Sequence, residues 1–154
     1  MSDLWKMGTS PESAGVALRA KVKDIKADVN RKVASRGARA VNALRNAELE
    51  VLKGQRSGKR YRKPHTKTAT YIASAPGEAP ARRTGNLRLH WSGDVSTSGN
   101  SNGGMALNVT LESQEKYAAF LENGHGNVAA RPFVDRIKEK AEPEIAKIFM
   151  EPYT

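Results

Sequence analysis

Apolar residues recur every three or four positions through the first third of the chain. The series consists of Leu18, Val22, Ile25, Val29, Val33, Gly37, Ala40, Leu44, Ala47 and Val51. This spacing places them on one face of a helix, and Ser10 followed by Pro11 is typical of a helix start. We therefore predict a long helix over residues 9–52, with a close backbone approach or a bend at Gly37.

The predicted helix is about 60 Å long, which is more than a domain of this size needs for its own core. Two interpretations of the apolar face are open. In the first, the whole face is buried in the body of the protomer and the charged face is solvated. In the second, one end of the helix packs on another subunit.

Residues 53–84 interrupt this pattern and show little helical periodicity. They combine many basic residues with glycine, serine and proline, so we predict an extended basic loop with a short strand at 68–72. Loops of this length within compact domains are usually functional or disordered.

The remaining residues, 85–154, predict a small α+β body. Apolar and polar residues alternate from Met105 to Glu112, which indicates a strand with one buried face. A turn rich in glycine, serine and asparagine at 98–104 predicts an antiparallel partner before it. We expect a single α+β domain over residues 1–154, in which a short helix and a C-terminal helix pack on this small sheet.

Three helical segments are predicted around the strands. Thr84 is a suitable cap for a short helix that carries Leu87 and Trp91 on one side. Leu87, Leu89 and Trp91 also alternate with other residues, so a strand is the alternative. Residues 115–122 form one or two turns, with Tyr117, Phe120 and Leu121 facing inward.

The last helix is predicted to open at Arg131–Pro132, where the proline suits the first turn. Gly124 and Gly126 separate it from the preceding helical turns. Pro143 lies inside it and is expected to kink it or split it in two, because proline removes one backbone hydrogen bond.

Charge is distributed unevenly along the chain, whose formal net charge is +10. Residues 53–92 contain ten basic residues and one acid, Glu78, whereas residues 93–154 contain six basic and nine acidic residues. This asymmetry favours attraction between one copy and the next. Hydrophobic residues make up only 38% of the chain, and identical neighbours often complete such a small core.

The chain contains no cysteine, so disulfides and thiolate metal sites are excluded. No apolar run approaches the roughly 20 residues that span a membrane, and the first residues lack an apolar signal core. We expect a soluble protein that is made in a cytoplasm and does not bind membranes.

Recognisable catalytic signatures are missing from the sequence. His65, His90 and His125 lie in three different regions, and there is no phosphate-binding or nucleophile-elbow motif. We expect no enzymatic activity, no cofactor and no metal site. A carboxylate set for a nuclease metal, formed by Glu112, Glu115 and Glu122, is the alternative, and ordinary surface charges explain these residues equally well.

The basic stretch is the strongest chemical signal. It lacks acids over the residues Lys53, Arg56, Lys59, Arg60, Tyr61, Arg62, Lys63 and Lys67. An acidic protein groove, the phosphates of DNA and simple solvation are all compatible with such a run. No recognition helix or aromatic platform accompanies it, so sequence-specific readout of DNA is not indicated.

Three motifs in order resemble a known family. They are GKRYRKP followed by SAPGEAPARRTGNLR, then YAAFLENG, then ARPFVDRIKEK, with a predicted hairpin between the first and the second. Together with the long N-terminal helix they resemble the neck or tail-completion proteins of tailed bacteriophages. The resemblance covers residues 54–137, and its most specific part runs from Ala75 to Leu87.

The resemblance implies a protomer that forms a ring, expected to be a hexamer, between the head-closure or connector ring and the tail terminator or tail tube. Genomic DNA would leave the capsid through its lumen, and the protein would be assembled in the host bacterial cytoplasm and reside in the virion neck. A tail terminator or minor tail protein, and a non-specific DNA-binding accessory protein, are the alternatives.

The resemblance also assigns roles to residues. The basic excursion is expected to be poorly ordered in the free protomer and to order on a neighbouring ring or on phosphates, with Arg82, Arg83 and Arg88 supporting Arg60, Tyr61, Arg62 and Lys63. The segment 117–137 is expected to pack over the sheet as a clasp. The residues expected to define the fold are Gly85, Leu87, Tyr117, Leu121, Glu122, Gly124, Arg131, Pro132 and Phe133.

Overall fold

One helix of 43 residues, α1, spans Pro11–Lys53 in the computed structural model. The structure describes residues 11–99 and 105–153, so the predicted cap at Ser10 and most of the turn at 98–104 lie outside the described residues. The described strands are β1 (Arg60–Arg62), β2 (Thr70–Ile72), β3 (Trp91–Gly99) and β4 (Met105–Ser113). The other described helices are α2 (Asn86–Leu89), α3 (Ala118–Asn123) and α4 (Val134–Met150). The predicted α+β fold class is confirmed.

The described strands form two separate antiparallel hairpins. In the larger one, β3 and β4 pair from Trp91 opposite Ser113 to Gly99 opposite Met105. In the smaller one, β1 and β2 pair over three residues each. A two-stranded hairpin is marginally stable by itself, so each hairpin needs another element to pack against.

α1 supplies that support for the larger hairpin, because both of its strands, and also α4, pack against α1. Segment 117–137 was expected to pack over the sheet, and it meets the sheet where Phe133 contacts Trp91, the first residue of β3, while its main packing is elsewhere. Ala118, Leu121 and Ile137 instead join a core with the C-terminal half of α1. The physical reason is that a two-stranded hairpin has one narrow apolar face, and α1 already covers part of it.

Two glycines allow this hairpin to approach α1 closely. A Cβ atom added at Gly37 in α1 would lie 2.6 Å from Val95 Cγ1 and 3.2 Å from a Leu107 methyl group. A Cβ atom added at Gly93 in β3 would overlap the side chain of Val41. The close approach predicted at Gly37 is confirmed, and α1 continues through this residue without interruption.

The main core lies where α1, α2 and α4 meet. Its buried residues are Ala47, Leu52, Ala79, Leu87, Phe133, Ile137 and Ala141. The ring of Phe133 meets the Trp91 ring edge-on at a centroid distance of 6.1 Å, and the Trp91 indole donates a hydrogen bond to the Leu87 carbonyl. This indole bond links the end of α2 to the start of β3.

The short helix α2 differs in detail from its prediction. Its N-cap is Gly85, at a φ of 100° that favours glycine, rather than Thr84. The Thr84 hydroxyl accepts only a long hydrogen bond of 3.4 Å from the amide of Asn86. Trp91, which was placed on this helix, is instead the first residue of β3, because the chain leaves the helix after Leu89.

A tight turn joins α3 to α4 and brings three predicted fold-defining residues together. A Cβ at Gly124 would lie 2.9 Å from the Val128 carbonyl oxygen and the Ala130 nitrogen, and its φ is 77°. Beside it, the Arg131 amide donates a 2.7 Å hydrogen bond to the Leu121 carbonyl. The chain therefore reverses at Gly124 with its two arms held side by side.

Glu122 fixes the start of α4. Its Oε2 atom accepts hydrogen bonds from the amides of Phe133 (2.8 Å) and Val134 (3.2 Å). These amides have no partner inside the helix, and a negative charge at this end also interacts favourably with the helix dipole. The prediction that the helix opens at Arg131–Pro132 is wrong by two residues.

Two further details of this region depart from the predictions. Phe120, expected to face inward, is 54% exposed and contacts the His125 ring at a centroid distance of 4.8 Å. α4 is one continuous helix despite Pro143, so the predicted split does not occur. Residue 143 lies on the exposed side of α4, where a missing backbone hydrogen bond is tolerated.

The C-terminal residues 151–153 cross the middle of α1 as a strap. Arg36 is 4% exposed and donates hydrogen bonds to the carbonyls of Glu151 and Pro152. Its guanidinium carbon lies 3.7 Å from the centre of the Tyr153 ring, and Arg39 forms a two-point ion pair with the Glu151 carboxylate. The strap closes the side of α1 next to α4.

The described body covers only part of α1. Burial begins near residue 28, whereas every described side chain from 18 to 27 is exposed. At about 1.5 Å per residue, these ten residues extend about 15 Å beyond the body. The N-terminal part of the apolar series therefore finds no partner among the described residues of its own chain.

Replacing Gly37 by alanine tests the interlock between α1 and the larger hairpin. The added methyl group forces Val95 aside, and we expect the free energy of unfolding to fall by about 1–2 kcal/mol after the gain in helix propensity is included. Gly15→Ala is the matched control, because a Cβ there meets nothing within 4 Å. Urea unfolding of both variants measures the difference, and an equal or higher stability for Gly37→Ala would contradict the interlock.

Glu48 provides a second test of the core. It is fully buried, its Oε2 accepts a hydrogen bond from Arg45, and its Oε1 has no partner among the described residues. Burial raises its pKa from 4.5 to about 7, against the opposing effects of Arg45 and Arg88. The folded state therefore holds this proton more tightly than the unfolded state does.

We accordingly expect the stability contributed by Glu48 to fall as the pH rises from about 4.5 to about 7. Glu48→Gln removes the ionisation, so it should flatten this part of the stability profile and raise the free energy of unfolding at pH 8 by on the order of 2 kcal/mol. Chemical denaturation at pH 4.5, 6 and 8 measures both effects. A variant that is less stable than the parent at pH 8 would contradict them.

Candidate functional site

The basic segment is an ordered hairpin in the structure rather than one extended loop. Strand β1 pairs with β2 in the register Arg60–Ile72, Tyr61–Tyr71 and Arg62–Thr70. Backbone hydrogen bonds extend the ladder at its base, where Gly58 and Ala73 donate to the carbonyls of Ala73 and Lys59. We call residues 58–73 the basic hairpin. The strand predicted at 68–72 is present, but its partner strand was not predicted.

The two faces of the basic hairpin differ in chemistry. Successive side chains in a strand point to opposite faces, so Arg60 and Arg62 share one face while Tyr61 and Tyr71 share the other. The two tyrosine rings lie 6.0 Å apart. All three residues of β1 are exposed, which leaves both the guanidinium groups and the Tyr61 ring accessible to a partner.

Glu78 holds the base of the basic hairpin to the rest of the chain. Its carboxylate accepts hydrogen bonds from the amides of Ala75 (2.8 Å) and Ser57 (3.1 Å) and from the Ser57 hydroxyl. These bonds, led by the one from the Ser57 hydroxyl, lower the pKa of Glu78 from 4.5 to about 2. Glu78, the single acid of residues 53–92, therefore stabilises the base of the basic hairpin.

Arg56 is also a structural residue. It donates hydrogen bonds to the carbonyls of Gln55, Val51 and Pro80 at 2.9–3.2 Å, and these use all three guanidinium nitrogens. Burial lowers its pKa. This arrangement gives Arg56 a structural role, and a contact of Arg56 with a partner stays a prediction.

A cleft of about 660 Å³ lies between the basic hairpin and the body. Its lining contains no acidic residue. The polar and aromatic members of that lining include His65, Tyr71, Arg82, Arg83, Arg88, Tyr117 and Arg131. We call this space the arginine cleft.

Two of the cleft arginines are already engaged. Arg131 donates a hydrogen bond to the carbonyl of Ser74, and the positive charge of Arg88 acts on buried Glu48. Arg82 and Arg83 are exposed and form no ion pair with a described residue. The cleft therefore presents uncompensated positive charge above an apolar floor that includes Leu52, Leu87 and Leu121.

The predicted contact residues fall into three groups. Those exposed on the basic hairpin are Lys59, Arg60, Tyr61, Arg62 and Lys67, and Lys63 is half-buried there. Those in the arginine cleft are Arg82, Arg83 and Arg88. Lys53 is the last residue of α1 and is exposed, and Arg56 is internal.

Sequence reasoning missed four contributors to the cleft. His65 and Tyr71 reach it only because the basic hairpin folds back, and Tyr117 and Arg131 come from the region where α3 turns into α4. Alternation of Tyr61 with two arginines is the one signal that indicates β1. Arg131 is distant in the chain from the basic hairpin, and no signal in the sequence indicates that it faces the same cleft as His65 and Tyr71.

The three carboxylates considered for a nuclease metal have other partners or positions. Glu115 lies 2.5 Å from His90 Nδ1, Glu122 binds the start of α4, and Glu112 lies on the exposed face of β4. Within residues 11–99 and 105–153, no three metal-binding side chains cluster. In the same ranges, no helix is long and apolar enough to cross a membrane.

Comparisons with models of known families, with curated proteins and with solved structures give no match to this chain.

Removing the negative charge of Glu78 tests whether the hydrogen bonds of this side chain hold the base of the basic hairpin. Because its folded pKa is lowered, its contribution is present above about pH 4.5 and is lost as the pH falls towards about 2. Glu78→Gln should therefore speed amide hydrogen exchange at residues 57–62 and 70–75 at pH 6, with the core of α1 unchanged. Glu144→Gln, an exposed change of the same kind, is the control. Equal exchange in the two variants would contradict this role of Glu78.

Proposed function

We propose that this protein is a structural subunit of a tailed-bacteriophage neck, where it forms a ring that joins the DNA-filled head to the tail. The observation that carries the proposal is the basic hairpin, which projects its cations outward beside an acid-free cleft. The stretch GKRYRKP of this hairpin belongs to the series of segments that resembles the neck and tail-completion family, and the most specific part of that series, Ala75 to Leu87, follows the hairpin. Both features fit a protein whose task is to hold other components.

The hairpin is built to present charge in a fixed direction. Its base is tied by Glu78 and by the ladder through Gly58 and Ala73, whereas β1 and β2 pair over only three residues. The base therefore limits where the cations point, and the short ladder lets the tip adjust to a partner. Fixing the direction in advance lowers the entropy lost on binding.

The partner that suits this surface is an acidic rim on the adjoining head-closure or connector ring, or on the tail terminator. Guanidinium groups bind carboxylates through two parallel hydrogen bonds, and the exposed tyrosine adds an aromatic contact. Each contact is weak by itself. Repetition around a ring gives a firm joint through avidity, and DNA phosphates in the lumen are a second anion within the same chemistry.

Charge reversal on the basic hairpin tests the joint. We expect Arg60→Glu/Arg62→Glu to leave the protomer folded, because neither side chain is buried or bonded to a described residue, and to yield separate filled heads and tails. Infectious titre in a complementation assay should fall by about 100-fold or more, because the reversed charges repel an acidic partner at every copy around the ring.

The matched control is Lys116→Glu/Lys138→Glu, which makes the same charge change at exposed positions outside the basic hairpin and cleft. Electron micrographs of the two lysates supply the structural measurement. Normal joined particles from the hairpin variant would contradict the proposal.

An electrophoretic shift across a salt series separates this proposal from a free DNA-binding accessory protein. The accessory protein would bind any duplex as an isolated protomer, with affinity that falls steeply with salt. The ring subunit binds duplex weakly in solution. Tight binding by the isolated protomer would favour the accessory protein.

A further inference from the structure

The projecting part of α1 carries a regular apolar stripe with no partner among the described residues. Leu18, Val22 and Ile25 are 65%, 56% and 63% exposed, and half-buried Val29 continues the same line. Steps of four, three and four residues place them on one side of the helix. A single exposed apolar side chain is ordinary, whereas an aligned series of this kind marks an interaction surface.

The stripe cannot be covered by the described body of its own protomer. α1 is continuous from Pro11 to Lys53, and its residues near Gly37 and Val41 already lie against β3 and β4. A helix without a break cannot fold its N-terminal part back onto the same hairpin. The partner must therefore come from another chain, or from the ten residues that precede α1.

The larger hairpin has the complementary properties. Leu107, Val109 and Leu111 of β4 face α1 yet stay partly exposed, and Met105 at the end of the row is 40% exposed. One helix thus leaves part of this apolar row open. Both strands also have outer edges that pair with no described strand, so nothing described blocks access from the side.

The charges of the two surfaces are opposite. Residues 18–32 contain six basic residues, Arg19, Lys21, Lys23, Lys26, Arg31 and Lys32, and only two acids. Residues 91–115 contain three acids, Asp94, Glu112 and Glu115, and no lysine or arginine. Asp94 and Glu112 lie on the face of the hairpin away from the apolar row, so the negative charge belongs to the hairpin as a whole. It favours approach of the basic helix to this hairpin over pairing of either region with itself.

The lengths also agree. Residues 18–29 span about 17 Å of helix, and each strand of the larger hairpin spans about 30 Å. The hairpin is therefore long enough to receive the whole stripe alongside β4.

We propose that the stripe of one copy docks on the partly open β4 side of the larger hairpin of a second copy. The two surfaces are different and lie on different parts of the protomer, so the contact is head-to-tail and can repeat around a ring. The inference deepens the proposed function, since it names the contact by which that ring closes. Both partners of this contact, a basic amphipathic helix and the apolar face of an acidic hairpin, are present within this chain.

Pairwise cross-linking tests the contact, and the absence of native cysteine makes it clean. Protein carrying Val22→Cys is mixed with protein carrying Met105→Cys or Leu111→Cys and treated with a short bis-maleimide. We expect heterodimer to form about 100-fold faster than by random encounter at 10 µM, because docking creates a millimolar effective concentration. Two strand positions are used so that either direction of the docked helix is detected.

Matched controls lie on the opposite faces. Ala27→Cys replaces Val22→Cys on the far side of α1, and Ala106→Cys replaces Met105→Cys on the far side of β4. Neither should cross-link above the random rate. Dominant Val22–Val22 products would overturn the proposal by showing that the stripe pairs with itself, and random rates for both strand positions would overturn it as well.

Two measurements test whether another part of the same chain covers the stripe. Maleimide labelling of Val22→Cys at nanomolar protein should be as fast as that of Ala27→Cys, and slow labelling there would show that residues 1–10 cover the stripe. An intrachain product in the Val22→Cys/Met105→Cys double variant would also overturn the proposal.

Assembly provides the second arm. Ile25→Asp should abolish oligomers that mass photometry detects for the parent chain, and Ala27→Asp should leave them intact. Mixing Ile25→Asp with Met105→Asp restores one good contact per pair, so dimers should form but no larger species. Larger species in the mixture, or oligomers of Ile25→Asp alone, would overturn the contact.

Failure here is distinguishable from failure of the proposed function. Heads and tails that still join when Ile25→Asp replaces the parent chain would reject this contact and leave the neck role standing. A confirmed cross-link together with normal joining by the Arg60→Glu/Arg62→Glu variant would keep the contact and reject the role of the basic hairpin.

Discussion

Packing against the C-terminal half of α1 is the interaction on which the rest of this structure depends. Neither hairpin is large enough to form a core, and α4 has no other long surface to pack against. The fold is therefore a set of short elements placed around one helix, with Gly37 and Gly93 setting the distance on the hairpin side. Buried side chains such as Phe133 then close the space between α1, α2 and α4.

A helix that organises the body and then runs past it has a consequence for assembly. The covered part stabilises the protomer, and the uncovered part leaves an apolar surface that has no partner among the described residues. α1 thus has an exposed N-terminal part and a covered C-terminal part, and the boundary between them lies near residue 28. The proposed contact would link the stability of one protomer and the association of several protomers through the same helix.

Charged residues in this protein divide into structural and outward-facing sets. The guanidinium groups of Arg36, Arg56 and Arg131 donate hydrogen bonds to backbone carbonyls. The carboxylates of Glu78 and Glu122 accept hydrogen bonds from backbone amides. Arg60, Arg62, Arg82 and Arg83 stay outside these networks. Net charge alone therefore overstates what is available to a partner, and the remaining cations lie on the basic hairpin, in the arginine cleft and along the projecting part of α1.

The sequence by itself determined the elements whose signal is local: the periodicity of α1, the alternation of β4, the reversal at Gly124 and the concentration of cations in residues 53–92. Tertiary structure alone decided what those elements pack against. It packed segment 117–137 mainly against α1, turned the predicted loop into the basic hairpin, and bonded the Arg56 guanidinium to backbone carbonyls. The physical reason is that periodicity reports which face of an element is apolar, whereas the identity of the covering surface depends on contacts between residues distant in the chain. Leu18 and Leu44 belong to one periodic series, yet only the fold leaves the first exposed and packs the second against the core.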